Sequence, residues 1–595
     1  MKHRIQHLLL LLLPALLPAA SAWAESIPAD KAKAAAVRFL QQVDPSRRPQ
    51  LSLVQLSPNP DTKTSSAAPA YYIFNDAKGG FVIAGGDDSV PSVLGYSTTG
   101  RIQPSSMPDN MRGWMDMWQR IVTGNRASGA PAYQEPPRTK AGTEKILPTA
   151  NWDQGDPYNQ LCPEFDGKRT LTGCSATSTA IVMRYHKYPA AGTGKLDKYT
   201  FEDDNGTTRS VDGVTLGHSY NWDKMPLDKP SLSAPWTDEQ KTQVATLMRD
   251  LGVMLQAQYG ADGTSAYAED IVPGLTTYFG YDKGAALEYM RFYDDAAAWT
   301  ARIKKNIDEV GPAVYSGYSD KSGHAFVVDG YDSQGNLHVN WGWSGDQNGF
   351  FAVPRFLTYT QSHNACLGLK PEAGGKAPYL LLIAQYKDAS NNIDGHGLAL
   401  ESGTPATGSP FTISCIGIFN YGEGLFSGQI AVGKFDRNNN LEEIISEPDP
   451  CEFSHYNGQL YFGIPCTITT AVHAGDYLTM VFTTAAAPAL KDWTPASYDH
   501  ESDNVVGRLL LGDSVILEKI VSLQYDIETA TLSVIFSDSC TRVLKNASGS
   551  IVTTGVVDSA DKLTVDAKQL TKGTYTLHLE RGDQSKDIQI VFGLK

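Results

Sequence analysis

The sequence predicts an α+β chain whose last third is all-β. Three observations predict it. Between about 147 and 372, helix-period segments come first and a cluster of strand-like runs follows, the order of an α+β fold rather than an alternating α/β one. Beyond Ala377 helix signals almost vanish, and alternating apolar and polar runs recur between Gly, Asn and Asp turns, as in Ig-like β-sandwich modules. The chain has 595 residues, several times the roughly 100–200 of one domain, so these patterns belong to separate folding units.

Residues 1–24 read as a signal peptide. Lys2 and Arg4 give a positive start, Leu8 to Leu17 an apolar core broken by Pro14, and Ala22-Trp23-Ala24 a small-x-small cleavage site. No later stretch reaches the roughly 20 apolar residues of a membrane span. A secreted or cell-surface protein without a transmembrane segment is therefore expected, its mature chain starting near Glu25.

Residues 25–145 form the first unit. Asp30 is placed to cap a helix with Ala32, Ala36, Phe39 and Leu40 on one face. Strand-like runs follow at Tyr71–Phe74 and Phe81–Ala84 around a Gly turn, then a helix with Trp114, Met117, Trp118 and Ile121 on one side. From Ser128 to Lys145, prolines and basic residues without periodicity read as an exposed, cleavable linker. Residues 146–374 carry helices over Ser175–His186, around Val244, Leu247, Met248 and Leu251, and over Trp299–Val310. Strands are predicted at Ala313–Tyr315, Ala325–Tyr331, Leu337–Trp341 and Phe350–Val353. The tail divides near Gly512 into β modules at 375–512 and 513–595, with strands such as Phe411–Cys415, Gln429–Val432, Tyr477–Met480 and Gly573–Leu579.

Fifty Lys and Arg against 65 Asp and Glu give a formal charge of -15, which excludes nucleic acid as a partner because that needs clustered positive charge. The seven cysteines, at 162, 174, 366, 415, 451, 466 and 540, show no CxxC or zinc-finger spacing, so no metal site is expected. In an oxidising compartment an even number would pair, and one thiol would need a reason to stay free.

Chemistry is most legible in Leu171-Thr172-Gly173-Cys174-Ser175-Ala176. The glycine permits a sharp turn, and the cysteine then opens a helix whose Ala176, Ala180 and Met183 face inward. There the helix dipole and free N–H groups are expected to lower the thiol pKa. A buried or disulfide-bonded cysteine is the equal alternative for this segment taken alone. Of twelve histidines, His324 stands where a Gly-containing loop enters the apolar strand Ala325–Tyr331. The following strand brings Asn340, an amide able to accept the other imidazole N–H, and Trp341, an indole able to keep water off that bond.

The order of these pieces resembles the papain-like cysteine peptidases. Trp152-Asp153-Gln154-Gly155-Asp156-Pro157-Tyr158-Asn159, Thr172-Gly173-Cys174, Tyr185-His186-Lys187-Tyr188-Pro189, Gly323-His324-Ala325-Phe326-Val327 and Val339-Asn340-Trp341-Gly342-Trp343 together resemble the streptopain family (peptidase family C10), in its interpain-like Bacteroidetes branch. The resemblance implies a papain-like catalytic domain at 146–374, an inhibitory propeptide at 25–145 similar around Gly79–Asp88 and Val93–Ser97, and a last module similar to a secretion sorting domain. It implies Cys174 as nucleophile, His324 as general base and then acid, and Gln154 as oxyanion donor. Asn340 and Trp341 both match the strand that supports the histidine, and either could orient it. Gly173, Gly323 and Trp343 would border the substrate.

The implied function is a secreted cysteine endopeptidase made as a zymogen, acting through a Cys174 thioester with no metal and no cofactor. Its partners would be protein or peptide substrates, its own propeptide and the secretion machinery. The rivals are a silent surface-binding protein and a thiol acyltransferase. Gly260–Ala266 and Ser316–Gly323 read first as connecting loops and second as subsites. The turn with Asp436, Asn438 and Asn440 lacks a complete calcium pattern, and His186 is expected to be structural.

Overall fold

The computed structural model describes residues 25–57, 68–133 apart from 108, 129 and 131, 144–318, 323–352, and 363–592 with short gaps beyond 384. The expected signal peptide and residues 134–143 of the expected linker lie outside them. The chain divides into two compact units: 25–281 with 295–371, and 282–294 with 372 onward.

In the first unit, α1 (Ala29–Val43) buries Ala32, Ala36, Phe39 and Leu40, the predicted face. Its N-cap is Pro28, not Asp30, which sits in the first turn; there its charge favours the helix dipole without a capping bond. Next come β1 (Leu51–Leu56), β2 (Tyr71–Asp76), β3 (Phe81–Gly85), β4 (Val93–Ser97), α2 (Asp109–Ser128) and β5 (Lys145–Ile146). Then follow α3 (Cys174–His186), α4 (Asp238–Met254), α5 (Ile271–Tyr278) and α6 (Ala296–Glu309). The late strands are β6 (Ala313–Tyr318), β7 (Gly323–Tyr331), β8 (Leu337–Asn340), β9 (Gly349–Phe351) and β10 (Asn364–Leu367).

One sheet runs through both halves of this unit, in the order β1-β2-β3-β4-β9-β8-β7-β6-β10, with β5 against β7. The junction is antiparallel, Tyr96 opposite Phe350 and Gly95 opposite Phe351. Aromatic rings close it: Tyr96 stacks on Phe350 at 5.2 Å, while Trp114 of α2 and Trp341 meet Phe351 edge-on at 4.9 and 5.0 Å. Rings of this size dominate the burial energy of such a seam. The N-terminal region is thus an extension of the C-terminal region's sheet, a pairing across about 250 residues of sequence.

In the second unit, strands 381–383, 397–403, 410–420, 458–467 and 497–498 form one sheet, and 426–435, 441–444, 449–453, 477–483, 494–495 and 509–510 another. Side chains of both, among them Leu381, Ile413 and Ile418 with Ile430, Val432 and Met480, bury into one cluster. Lys434 lies fully buried between Asp476, 2.9 Å away, and Glu442. A four-stranded and a three-stranded sheet follow between 520 and 592. The whole is mixed α and β with many strands. No helix among the described residues is long and apolar enough to cross a membrane.

The expected pairing of cysteines is overturned for the described residues. Cys162, Cys174, Cys366, Cys415, Cys451 and Cys466 are all free. Burial holds four of these thiols in the protonated form instead: Cys162, Cys415 and Cys466 are pushed up to about 12 and Cys451 to about 11.

Candidate active site

Helix α3 starts at Cys174 because Gly173 takes φ +89°, which side chains resist, and because a Cβ there would stand 2.9 Å from Thr264 Cγ2. The helix is not one-faced as expected. Every residue from Ser175 to Arg184 is buried, and the hydroxyls are satisfied internally: Ser178 and Thr179 donate to the carbonyls of Cys174 and Ser175 at 2.8 and 2.7 Å. Ser175 Oγ donates to Ala266 O at 3.2 Å, fastening the first turn to a neighbouring loop.

Cys174 is half-buried, and its Sγ accepts the Ala325 N–H at 3.4 Å. That bond places the thiol beside His324, at the start of β7. The thiol pKa is raised, not lowered as expected. Burial penalises the thiolate by more than the Ala325 and Ser175 hydrogen bonds stabilise it, so this state stores a thiol. His324 is half-buried and opposite Gly317 in the β6–β7 ladder. Helix α2 passes over it: a Cβ on Gly113 would lie 2.9 Å from His324 Cδ2 and 3.4 Å from Nε2. The N-terminal region therefore rests directly on the imidazole. The same helix covers a second histidine, His363, whose Nε2 meets Met117 Sδ at 3.3 Å and whose Nδ1 pairs with Tyr315 OH at 2.8 Å. Burial lowers His363 and His186 to about 4, so both are neutral.

A cavity of about 230 Å³ joins the pair, lined by Cys174, Ser175, Gly323, His324 and Ala325. Gln256, Gln258, Thr264, Ser265, Ala266 and Tyr267 also line it. The loops read first as connections thus contribute Thr264, Ser265, Ala266, Ser316 and Gly323 to the wall. Gln256 and Gln258 lie outside every motif of the sequence; Gln256 holds φ +48°, a strained conformation that no sequence pattern announces.

Other predicted residues are not among those that line the cavity. Gln154 is buried, and its carbonyl accepts the Thr172 N–H at 3.1 Å, tying its loop to the turn before Cys174. Asn340 is buried with both amide hydrogens donated, to Thr149 Oγ1 at 3.1 Å and Ala150 O at 2.9 Å, while its Oδ1 accepts Gly342 N–H at 3.1 Å. Trp341 is buried against Phe326 and Phe351 at 5.1 and 5.0 Å, its indole N–H donated to Gln347 O. Trp343 is half-buried, and neither it nor Gly173 lines the cavity.

Comparison with known proteins fits this geometry. The Peptidase C10 family matches residues 152–351, and the Spi protease inhibitor family residues 24–122. Streptopain of Streptococcus pyogenes is 32% identical over 332 residues, covering 53% of this chain and 80% of that protein. The thiol protease/hemagglutinin PrtT of Porphyromonas gingivalis is 28% identical over 456 residues. That match covers 68% of this chain, and this chain spans only about half of PrtT, 52%. A solved fragment of Prevotella intermedia prointerpain A is 29% identical, covers 55% of this chain and all of that one, and superposes with a TM-score of 0.45. The streptopain and inhibitor-family matches show that the chain belongs to the peptidase C10 family, as a cysteine peptidase made as a zymogen.

Proposed function

We propose that the chain is a secreted endopeptidase that cleaves proteins through a thioester on Cys174. The observation that carries this reading is the Ala325 N–H bond to Cys174 Sγ, which puts nucleophile and His324 on one cavity wall. His324 takes the thiol proton, and the thiolate adds to the scissile carbonyl. The tetrahedral oxyanion is met by the Cys174 N–H and the Gln154 amide, each worth about 10²–10³ in rate. Collapse expels the amine, which takes the proton from His324, and water then hydrolyses the thioester with His324 again as base. Asn340 and Trp341 support the strand beside the histidine, Asn340 by bonding back to residues 149 and 150 and Trp341 by packing on Phe326. Gly323, on the cavity wall, borders the substrate, and Gly173 provides the turn.

Residues 25–145 act as the inhibitor, through α2 over His324 and the Tyr96–Phe350 strand junction, and are removed on activation; 146–374 form the catalytic domain. Residues 375–512 and 513–595 are two β-sandwich modules of Ig-like type, the first supported by its two sheets sharing one core, the last serving secretion. Export follows from the leader at 1–24. The test is Cys174→Ala in the full chain. It should neither shed its own N-terminal region nor cleave casein; persistence of either activity contradicts the reading.

A further inference from the structure

We propose that Thr264 is a positioning residue, clamping the turn that presents Cys174 to the loop that lines the substrate cavity. This rests on the reading of Cys174 as nucleophile. Thr264 is buried, and its hydroxyl donates to Leu171 O at 2.8 Å while accepting the Gly260 N–H at 3.1 Å. Leu171 N–H in turn donates to Gly260 O at 3.0 Å, so one hydroxyl completes a closed link between the two segments. The methyl has a separate task. It fills the space a Cβ on Gly173 would need, 2.9 Å away, and so keeps that position to glycine, the residue for which φ +89° is open.

The turn needs such a clamp. Glycine is the softest residue in the backbone, and on its far side the turn is held by the Thr172 N–H bond to Gln154 O. Thr264 is the matching fastener on the near side. The loop itself is braced, because Gln258 and Ser265 exchange backbone hydrogen bonds at 2.8 and 3.2 Å and Ala266 O receives Ser175 Oγ. Thr264, Ser265 and Ala266 all line the cavity. A peptide seated there presses on the same loop that fixes the height of Cys174 Sγ and the direction of its N–H. Displacements of about 1 Å at reacting atoms cost on the order of 10²-fold in rate.

The experiment compares Thr264→Val, which keeps shape and loses the hydroxyl, with Thr264→Ser, which keeps the hydroxyl. Both are assayed as activated enzyme, with active sites counted by an irreversible thiol alkylator. Thr264→Val should lose about 10–100-fold in kcat per titrated site with KM changed by less than about threefold. Its alkylation rate against pH should also move, because the Cys174 environment changes, and Thr264→Ser should recover most of the kcat. If Thr264→Val does not accumulate as folded protein, Thr264→Ala removes the same hydroxyl with less crowding at Gly173 and must show the same loss. An unchanged kcat per titrated site in the hydroxyl-free variant, with only its melting temperature lowered, overturns the proposal. Cys174→Ala run alongside separates the two readings: an active Cys174→Ala sinks the nucleophile, while an inactive one beside a normal Thr264→Val sinks only the clamp.

Discussion

Gly113→Ala tests the hold of the N-terminal region on His324 with a single methyl. The new Cβ would sit 2.9 Å from His324 Cδ2 and 3.4 Å from Nε2, so α2 or the imidazole must shift by a few tenths of an ångström. Overpacking of this kind costs about 1–3 kcal/mol. Working against it, alanine is better than glycine inside a helix by about 1 kcal/mol. The steric cost wins by about 1 kcal/mol, which weakens docking of α2 about fivefold. The assay is the half-time for conversion of full-length chain to processed enzyme, seeded with a trace of active wild type. Conversion should be about fivefold faster. Equal or slower conversion, at unchanged thermal stability, would refute the contact between α2 and His324.

Other consequences follow from buried groups. His363 has a folded pKa of about 4 against an ordinary 6.5. The unfolded chain therefore binds the extra proton first, and His363 favours the fold fully above pH 6.5 and progressively less down to pH 4, by up to about 3 kcal/mol. Urea midpoints of the Cys174→Ala chain at pH 7, 5.5 and 4 should fall, and His363→Gln should flatten part of that fall; identical slopes would contradict the burial under Met117. Asn340→Ala leaves Ala150 O and Gly342 N–H without their amide partner and should lower stability by about 1–3 kcal/mol, read by thermal unfolding. Lys434→Met strands the buried Asp476 carboxylate, so the tail should lose about 3–5 kcal/mol while casein hydrolysis per active site is unchanged.

Local elements were legible because their signals are local. The inward faces of α1 and α2, the β2–β3 hairpin and strands β6 to β9 follow from periodicity and turn residues, and the tail strands sit where alternation put them. The segments around Cys174 and His324 stand out because a glycine turn opening a helix and a histidine at a strand mouth have recognisable flanks, and the structure brings both to one cavity. What could not be read was long-range. The β4–β9 junction depends on two strands about 250 residues apart, and neither strand carries a mark of its partner. The sequence points to a lowered Cys174 pKa because the helix dipole is visible in it, whereas the desolvation that raises the pKa is not. The cysteine count misled for a similar reason: burial, not pairing, keeps the described thiols quiet. The cavity wall at Gln256, Gln258 and Thr264 comes from loops whose composition is that of any connection.

The central claim, that Cys174 is the nucleophile that burial keeps protonated in the zymogen, is tested most directly by alkylation with mass mapping. Full-length and activated protein are treated with limiting iodoacetamide at neutral pH, digested, and each of the seven cysteine peptides quantified. Activated enzyme should be labelled at Cys174 first, with activity lost in proportion to that label, and the full-length chain should react there far more slowly. Label accumulating on another cysteine as activity disappears, or activity surviving full modification of Cys174, would contradict the account.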